Sequence, residues 1–496
     1  MASLVKNYSQ EKLLGQVYTP NFIVCKILDD IGYNSCDILG KTIIDPACGD
    51  GRFLEEVVKR IIKFSSEKDL TKNLLCVYGW DVDEVAIKDC IDNLNNLIKE
   101  KNIKIQWNIE VTNSIKKIEI TDLFNEKETQ KFDFIVGNPP YIRIQHLDLD
   151  QRQFIQNNYN FCKSGSTDIY IAFFELCLNL LSENGICGLI TPNTFIFTET
   201  ARQMRQYFTV NKNLIQITNY GDIQLFENAT TYSAITIFNT KNNENFLFQK
   251  AITENTFDEK IFDFSELQEP FWQLSIKETE QIFGKKLKDV CNIHVGITTL
   301  CDSAYIFQIE EINEIFVWAD TKLKGKIKIE KSILKPIVKG SKLKHSEEKI
   351  KEYILFPYKQ INGKHIIIPE DELKENYPFA YNYLLSVKPE LDKRDNGVPN
   401  TVAWYAFGRS QGLDTSFGEK IIFSPMNNKP NFVYYKNPET TFYSGYCIKY
   451  KGDVDKLIRQ LNSDRMNEFV SMSSRDFRNG WKAYNKKIIE NFEVMI

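Results

Sequence analysis

The chain has 496 residues, 43% hydrophobic and 26% charged, and a net charge of −4. That composition supplies sizeable cores and excludes a disordered or fibrous polypeptide. The acidic balance excludes a uniformly basic nucleic-acid coat, though not a local basic cleft.

Eleven cysteines include no Cys-x-x-Cys pair, and the four histidines lack metal-ligand spacing, so no metal site is expected. Reduced, mostly buried thiols fit better than a disulfide scaffold. The N-terminus has no apolar signal region, and the greasy run 169–181 is too short for a bilayer and carries Glu175. A soluble, cytoplasmic protein of about two to four domains is expected.

In chain order, the first half alternates strands and helices. Lys41 to Asp45 is a short apolar strand ending in a carboxylate. The next run, 52–63, places Phe53, Leu54, Val57, Val58, Ile61 and Ile62 on one helical face. A second strand ends at Asp81, a second amphipathic helix carries Ile87, Ile91, Leu94 and Ile98, and a third strand leads to Asp122. A fourth strand, FDFIVG, stops at Pro139 and Pro140 because proline cannot donate to a sheet ladder. An apolar helix (169–181) and the strand ICGLITP follow. This rhythm predicts an α/β fold with a doubly wound, mostly parallel sheet, whose ligand crevice lies beyond the carboxyl ends of the strands. After about residue 250 short β-like runs take over (YILFPY, HIIIP, KIIFSP, NFVYY). The expected division is therefore 1–255 and 256–496.

The segment DPACGDGRFL (Asp45 to Leu54) joins an acidic strand end, a loop with Gly49 and Gly51, and a helix start. Such a loop lets a ligand approach the backbone closely. The third glycine of a dinucleotide fingerprint is missing, which disfavours a nicotinamide-dependent oxidoreductase. A carboxylate at this point suits a cationic ligand, and S-adenosylmethionine is one. Asp81 is placed to accept from ribose hydroxyls; Asp83 competes for that role, or caps the following helix. Asp122 is a candidate acceptor for an adenine amino group.

The sharpest motif is Asn138-Pro139-Pro140-Tyr141 directly after a buried strand. An exocyclic aromatic amine is a poor nucleophile because its lone pair is delocalised into the ring. The Asn138 side-chain oxygen and the Pro139 carbonyl could each accept one amine hydrogen, localising that lone pair for attack on a methyl sulfonium. The prolines fix the carbonyl direction, and Tyr141 offers a face for stacking a base.

These motifs, with GQVYTP (Gly15 to Pro20), TDLF, the run 168–192 and LFENATTYSAITIF (Leu225 to Phe238), resemble the gamma class of adenine-N6 DNA methyltransferases. That is the TaqI-like group of restriction–modification systems, and the pieces cover roughly the first 240 residues in the family's order. The resemblance implies a class I S-adenosylmethionine-dependent methyltransferase domain followed by a β-rich α+β target-recognition domain. It assigns cofactor contacts to Tyr18, Thr19, Asp45, Ala47, Gly49, Gly51, Asp81, Val82, Asp122, Asn138 and Pro140. It assigns catalysis to Asn138, Pro139 and Tyr141, and stacking of a flipped base to Phe226, which could equally be a core residue. No nuclease-like extension precedes GQVYTP, so a methylase without cleavage activity is expected, with double-stranded DNA and possibly a cognate endonuclease as partners. Related Asn-Pro-Pro-Tyr enzymes acting on ribosomal RNA or protein glutamine form the alternative.

Finally, nine lysines lie between Lys322 and Lys344 with one acid, Glu330. Lys335, Lys339 and Lys342 are candidate phosphate contacts; a solvated lysine face is the other reading.

Overall fold

The computed structural model describes residues 19–117, 130–163, 167–226, 231–267, 271–276, 284–474, 476–477 and 480–496. Two compact units divide the chain, Met1–Thr279 and Glu280–Ile496.

The first unit is built on β1 (Ile43–Asp45), β2 (Val77–Asp81), β3 (Asn108–Val111), β4 (Phe132–Gly137), β5 (Leu181–Pro192), β6 (Leu214–Asn219), β7 (Ser233–Asn239), β8 (Asn245–Ala251) and β9 (Phe257–Asp263). They form one sheet in the order β3-β2-β1-β4-β5-β7-β6-β8-β9. Pairing is parallel except at β7, which runs against β5 and β6, and at β9, which runs against β8. The expected mostly parallel sheet is present.

Adjacent residues point to opposite faces of a strand, and the cores follow that rule. Ile44, Ile135 and Leu189 enter one hydrophobic cluster, whereas Ile43, Val136 and Ile190 enter the other. The second cluster is closed by α1 (Asn21–Asp30), α2 (Arg52–Phe64) and α3 (Glu84–Ile98), and the first by α4 (Ile169–Leu180) and α5 (Arg202–Asn211). Helix α4 is apolar on nearly every side because it is buried, and its Glu175 accepts from the backbone N–H groups of Asn160 and Phe161 at 2.9 and 2.8 Å. No helix among the described residues is long and apolar enough to cross a membrane.

Two differences from the sequence reading have physical reasons. The third strand is Asn108–Val111 rather than one ending at Asp122, which lies outside the described residues. The division between units falls after Thr279 rather than after 255, because Phe257–Asp263 pairs with β8 along its whole length. That edge strand exposes most of its residues, so its apolar signal is weak.

The second unit contains a four-stranded sheet (Asn292–Val295, Tyr446–Lys449, Lys420–Phe423, Phe432–Tyr435, in that order). It also holds a six-stranded one in the order Gly325–Glu330, Phe316–Thr321, Ile306–Ile312, Glu352–Leu355, Leu334–Lys339, Thr441–Tyr443. A separate hairpin pairs Tyr358–Ile361 with Lys364–Ile367. All four β-like runs noted in this half are strands.

Candidate active site at the carboxyl ends of the strands

The carboxyl ends of β1 to β4 open onto a cleft of about 490 Å³. It is lined by Thr19, Asp45, Ala47, Gly49, Asp81, Val82, Asn138 and Pro140, eight of the eleven positions assigned to a cofactor.

Asp45 ends β1 and is 1% exposed. Its Oδ1 accepts from the Ala47 N–H at 2.9 Å, so the carboxylate organises the loop that follows it. A Cβ on Gly137 of the neighbouring strand would lie 2.7 Å from that oxygen, so glycine is what admits the carboxyl group between β1 and β4. Burial, reinforced by the nearby Asp81 charge and opposed by the Ala47 hydrogen bond, pushes the Asp45 carboxyl up to about 8.

The loop is also tied to β2. The Gly49 N–H donates to Asp81 Oδ2 at 2.9 Å, and Asp81 Oδ1 accepts from the Asp83 N–H at the same distance. Gly49 has φ +52°, a conformation glycine adopts without strain. Asp83, which also lines the cleft, caps α3 by accepting from Val85 and Ala86. Gly51 does not line the cleft. It caps α2 at φ +92°, and a Cβ there would meet Cys90 Sγ at 2.7 Å, so it serves the packing of α2 on α3.

At the end of β4, Asn138 donates from Nδ2 to Thr19 Oγ1 at 3.1 Å. Pro139 is buried and Pro140 faces the cleft. Tyr141 donates its hydroxyl to the Ile190 carbonyl at 3.4 Å and meets the Tyr170 ring edge-on at 6.4 Å, so the tyrosine is held from behind, off the cleft wall.

The sequence reading missed the end of β3. Thr112, Asn113 and Ser114 line the cleft, Asn113 Oδ1 accepts from the Ile115 N–H at 3.1 Å, and Ser114 donates to the Pro46 carbonyl at 2.5 Å. The available signal was a polar triplet directly after NIEV. Tyr18, like Asp122, lies outside the described residues.

Phe226 does not line the cleft. It is 3% exposed and packs in the cluster that holds Val136, Ile190, Tyr220 and Leu225. A stacking role would require it to leave that core. The lysine run does not form one patch either. Lys326 and Lys328 lie on the edge strand Gly325–Glu330, while Lys335 and Lys339 lie four strands away on Leu334–Lys339. Lys339 rests over the Tyr443 ring at 5.5 Å, and Lys342 is exposed. Among the described residues no group of three or more metal-ligating side chains is gathered.

The strand order, the acidic ends of β1 and β2 and the Asn-Pro-Pro-Tyr turn define a class I methyltransferase-type fold with its ligand cleft in the usual place for an open α/β sheet. Residues 60–226 match the family model described as Eco57I restriction-modification methylase. It is 26% identical to the type II restriction enzyme and methyltransferase RM.Eco57I of Escherichia coli over 87% of this chain and 51% of that protein. It is 25% identical to the type II methyltransferase M.BanIII of Aneurinibacillus aneurinilyticus, over 86% of this chain and 79% of the relative. The chain thus spans about half of the first relative and about four-fifths of the second. The type IIL restriction-modification enzyme MmeI, solved in complex with DNA, superposes with a TM-score of 0.62 at 12% identity, covering 98% of this chain and 69% of that one, which establishes likeness of fold.

Proposed function

We propose that the chain is a site-specific DNA methyltransferase that moves a methyl group from S-adenosylmethionine to the N6 amino group of an adenine flipped out of duplex DNA. It would be the modification activity of a restriction–modification system, with a cognate endonuclease as natural partner. The observation that carries the reading is the Asn138-Pro-Pro turn opening onto the same cleft as Asp45 and Asp81. The relatives named above are type II methyltransferases, one of them joined with a restriction enzyme.

The residues present fit the cofactor. A buried carboxyl group at the end of β1, a loop whose Gly49 leaves its backbone open, and the Asp81 carboxylate offer acceptors for a cation and for ribose hydroxyls. Asn113, at the end of β3, adds a polar edge beside them, and Asp122 stays the candidate acceptor for the adenine amino group. When bound, the cofactor supplies an electrophilic methyl group. The protein's part is then to orient the amine. Thr19 holds the Asn138 amide, and the Asn138 oxygen and Pro139 carbonyl accept the two amine hydrogens. The nitrogen is thereby drawn toward tetrahedral geometry, with its lone pair directed at the methyl carbon.

Asp81→Ala is expected to weaken cofactor binding by roughly 1–3 kcal/mol, the range for partners left unsatisfied. Calorimetric titration reads this directly, and unchanged affinity would remove Asp81 from the site. The substrate class is tested by offering duplex DNA, structured RNA and protein together with a methyl-labelled cofactor. Label is expected in the DNA, and label in either of the others would replace this reading.

In this reading the second unit recognises the target. Lys335, Lys339 and Lys342 remain candidate phosphate contacts. Each one in contact should contribute about 0.9 to the slope of log affinity against log salt. The triple substitution to Gln should flatten that plot, and an unchanged slope would assign the three to a solvated face.

A further inference from the structure

Seven described residues other than glycine have positive φ, and three of them belong to one spot in the second unit. Leu300 sits at φ +58°, and Asp395 and Asn396 at +48° and +59°. Asparagine and aspartate visit this region readily; a bulky leucine there is an outlier. Leu300 is also 43% exposed. Leu300 thus joins a strained backbone to a partly exposed apolar side chain.

The surrounding loops are held firmly. The Gly408 N–H donates to Thr299 O at 3.0 Å and the Arg409 N–H to Thr298 O at 3.1 Å. A Cβ on Gly408 would fall 2.5 Å from Leu300 Cδ1, so the two loops interlock where only glycine fits. Arg394 braces them from beneath, donating to Ala406 O at 2.7 Å and Trp404 O at 2.8 Å. Arg409 faces outward. Its Nη1 and Nη2 donate to the two carboxylate oxygens of Asp395 at 2.5 and 2.8 Å, with side chains 47% and 40% exposed. This pairing holds the Asp395 carboxyl below the ordinary carboxylate range.

A carboxylate-paired guanidinium carries little net charge and so makes a weak phosphate anchor. Its remaining N–H groups, however, point in a fixed direction, which is what reading a base edge requires. We propose that the interlocked loops carrying Leu300 and Arg409 are a base-reading element. Arg409, aimed by Asp395, donates to acceptors in the major groove, with guanine O6 and N7 the matching pair, and Leu300 makes the apolar contact beside it. The inference rests on the DNA-methylation reading given above.

The test is modified-base sequencing of plasmid DNA from cells expressing the full chain or the variants R409K and L300N. The wild type defines a motif. R409K keeps the charge but loses the fork, so preference for one G·C pair of that motif should fall tenfold or more while the other positions hold. L300N suits the left-handed backbone better, so its melting temperature should hold or rise while methylation of the wild-type motif slows tenfold or more. A uniform loss at every position with the motif intact would make Arg409 a phosphate contact and overturn the proposal. So would wild-type behaviour of both variants, or an L300N that loses activity only by unfolding. If the wild type itself leaves no methylated motif, the DNA-methylation reading fails first and this inference falls with it.

Discussion

Replacing Asn138 by alanine is expected to abolish methyl transfer while leaving cofactor affinity within a few-fold. The amide lies at the end of β4, held by Thr19 at 3.1 Å, and the acidic ends of β1 and β2 stand on neighbouring strands. In the proposed reaction its oxygen accepts an amine hydrogen in the transition state, when the nitrogen lone pair is being localised. Fixed polar groups used in this way are worth about 10²–10³ in rate each. The structural loss includes the hydrogen bond to Thr19, about 1 kcal/mol and too small by itself to unfold the unit. Single-turnover methylation and calorimetric cofactor titration on the same preparation separate the two effects. Loss of cofactor binding in this variant would make Asn138 a binding residue only.

The second large effect concerns pH. Burial holds the Asp45 carboxyl at about 8, so in the ligand-free protein it is mostly protonated at neutral pH. A cationic ligand beside it favours the ionised form, so binding should release a proton. Affinity should rise as pH climbs toward 8 and level off above it, changing by up to about tenfold per pH unit below that point. Stability runs the other way. The folded value lies above the ordinary 3.8, so this group's stabilising contribution is complete below about 4 and is lost as pH rises through about 8. Asp45→Asn should flatten both profiles. Calorimetry in two buffers of different ionisation enthalpy counts the proton, and identical apparent enthalpies would remove Asp45 from contact with the cation.

Much of the cleft was legible because its parts sit at strand ends, where a change from apolar to acidic or proline residues is visible in sequence. Asp45, Asp81 and Asn138 were read that way, and the structure brings them to one cleft. The end of β3 was not. NIEV is a four-residue edge strand with one buried residue, so it carries almost no period-two signal, and the acidic Asp122 drew the reading instead. Strand β9 escaped for the same reason. The lysine run misled because proximity in sequence is not proximity in a sheet; three intervening strands separate Lys328 from Lys335. Phe226 shows the limit of motif matching, since an aromatic before a strand reads alike whether it stacks on a ligand or fills a core. The strain at Leu300 is a backbone property and leaves no trace in composition or pattern.

The most direct measurement is nucleoside analysis of duplex DNA after incubation with the purified chain and a cofactor labelled in the methyl group. Complete digestion followed by mass spectrometry identifies the atom that received the label. The account predicts label in N6-methyl-2′-deoxyadenosine and its loss with Asn138→Ala. Label in a methylated cytosine, or N6-methyladenine formed undiminished by the Asn138 variant, would contradict it.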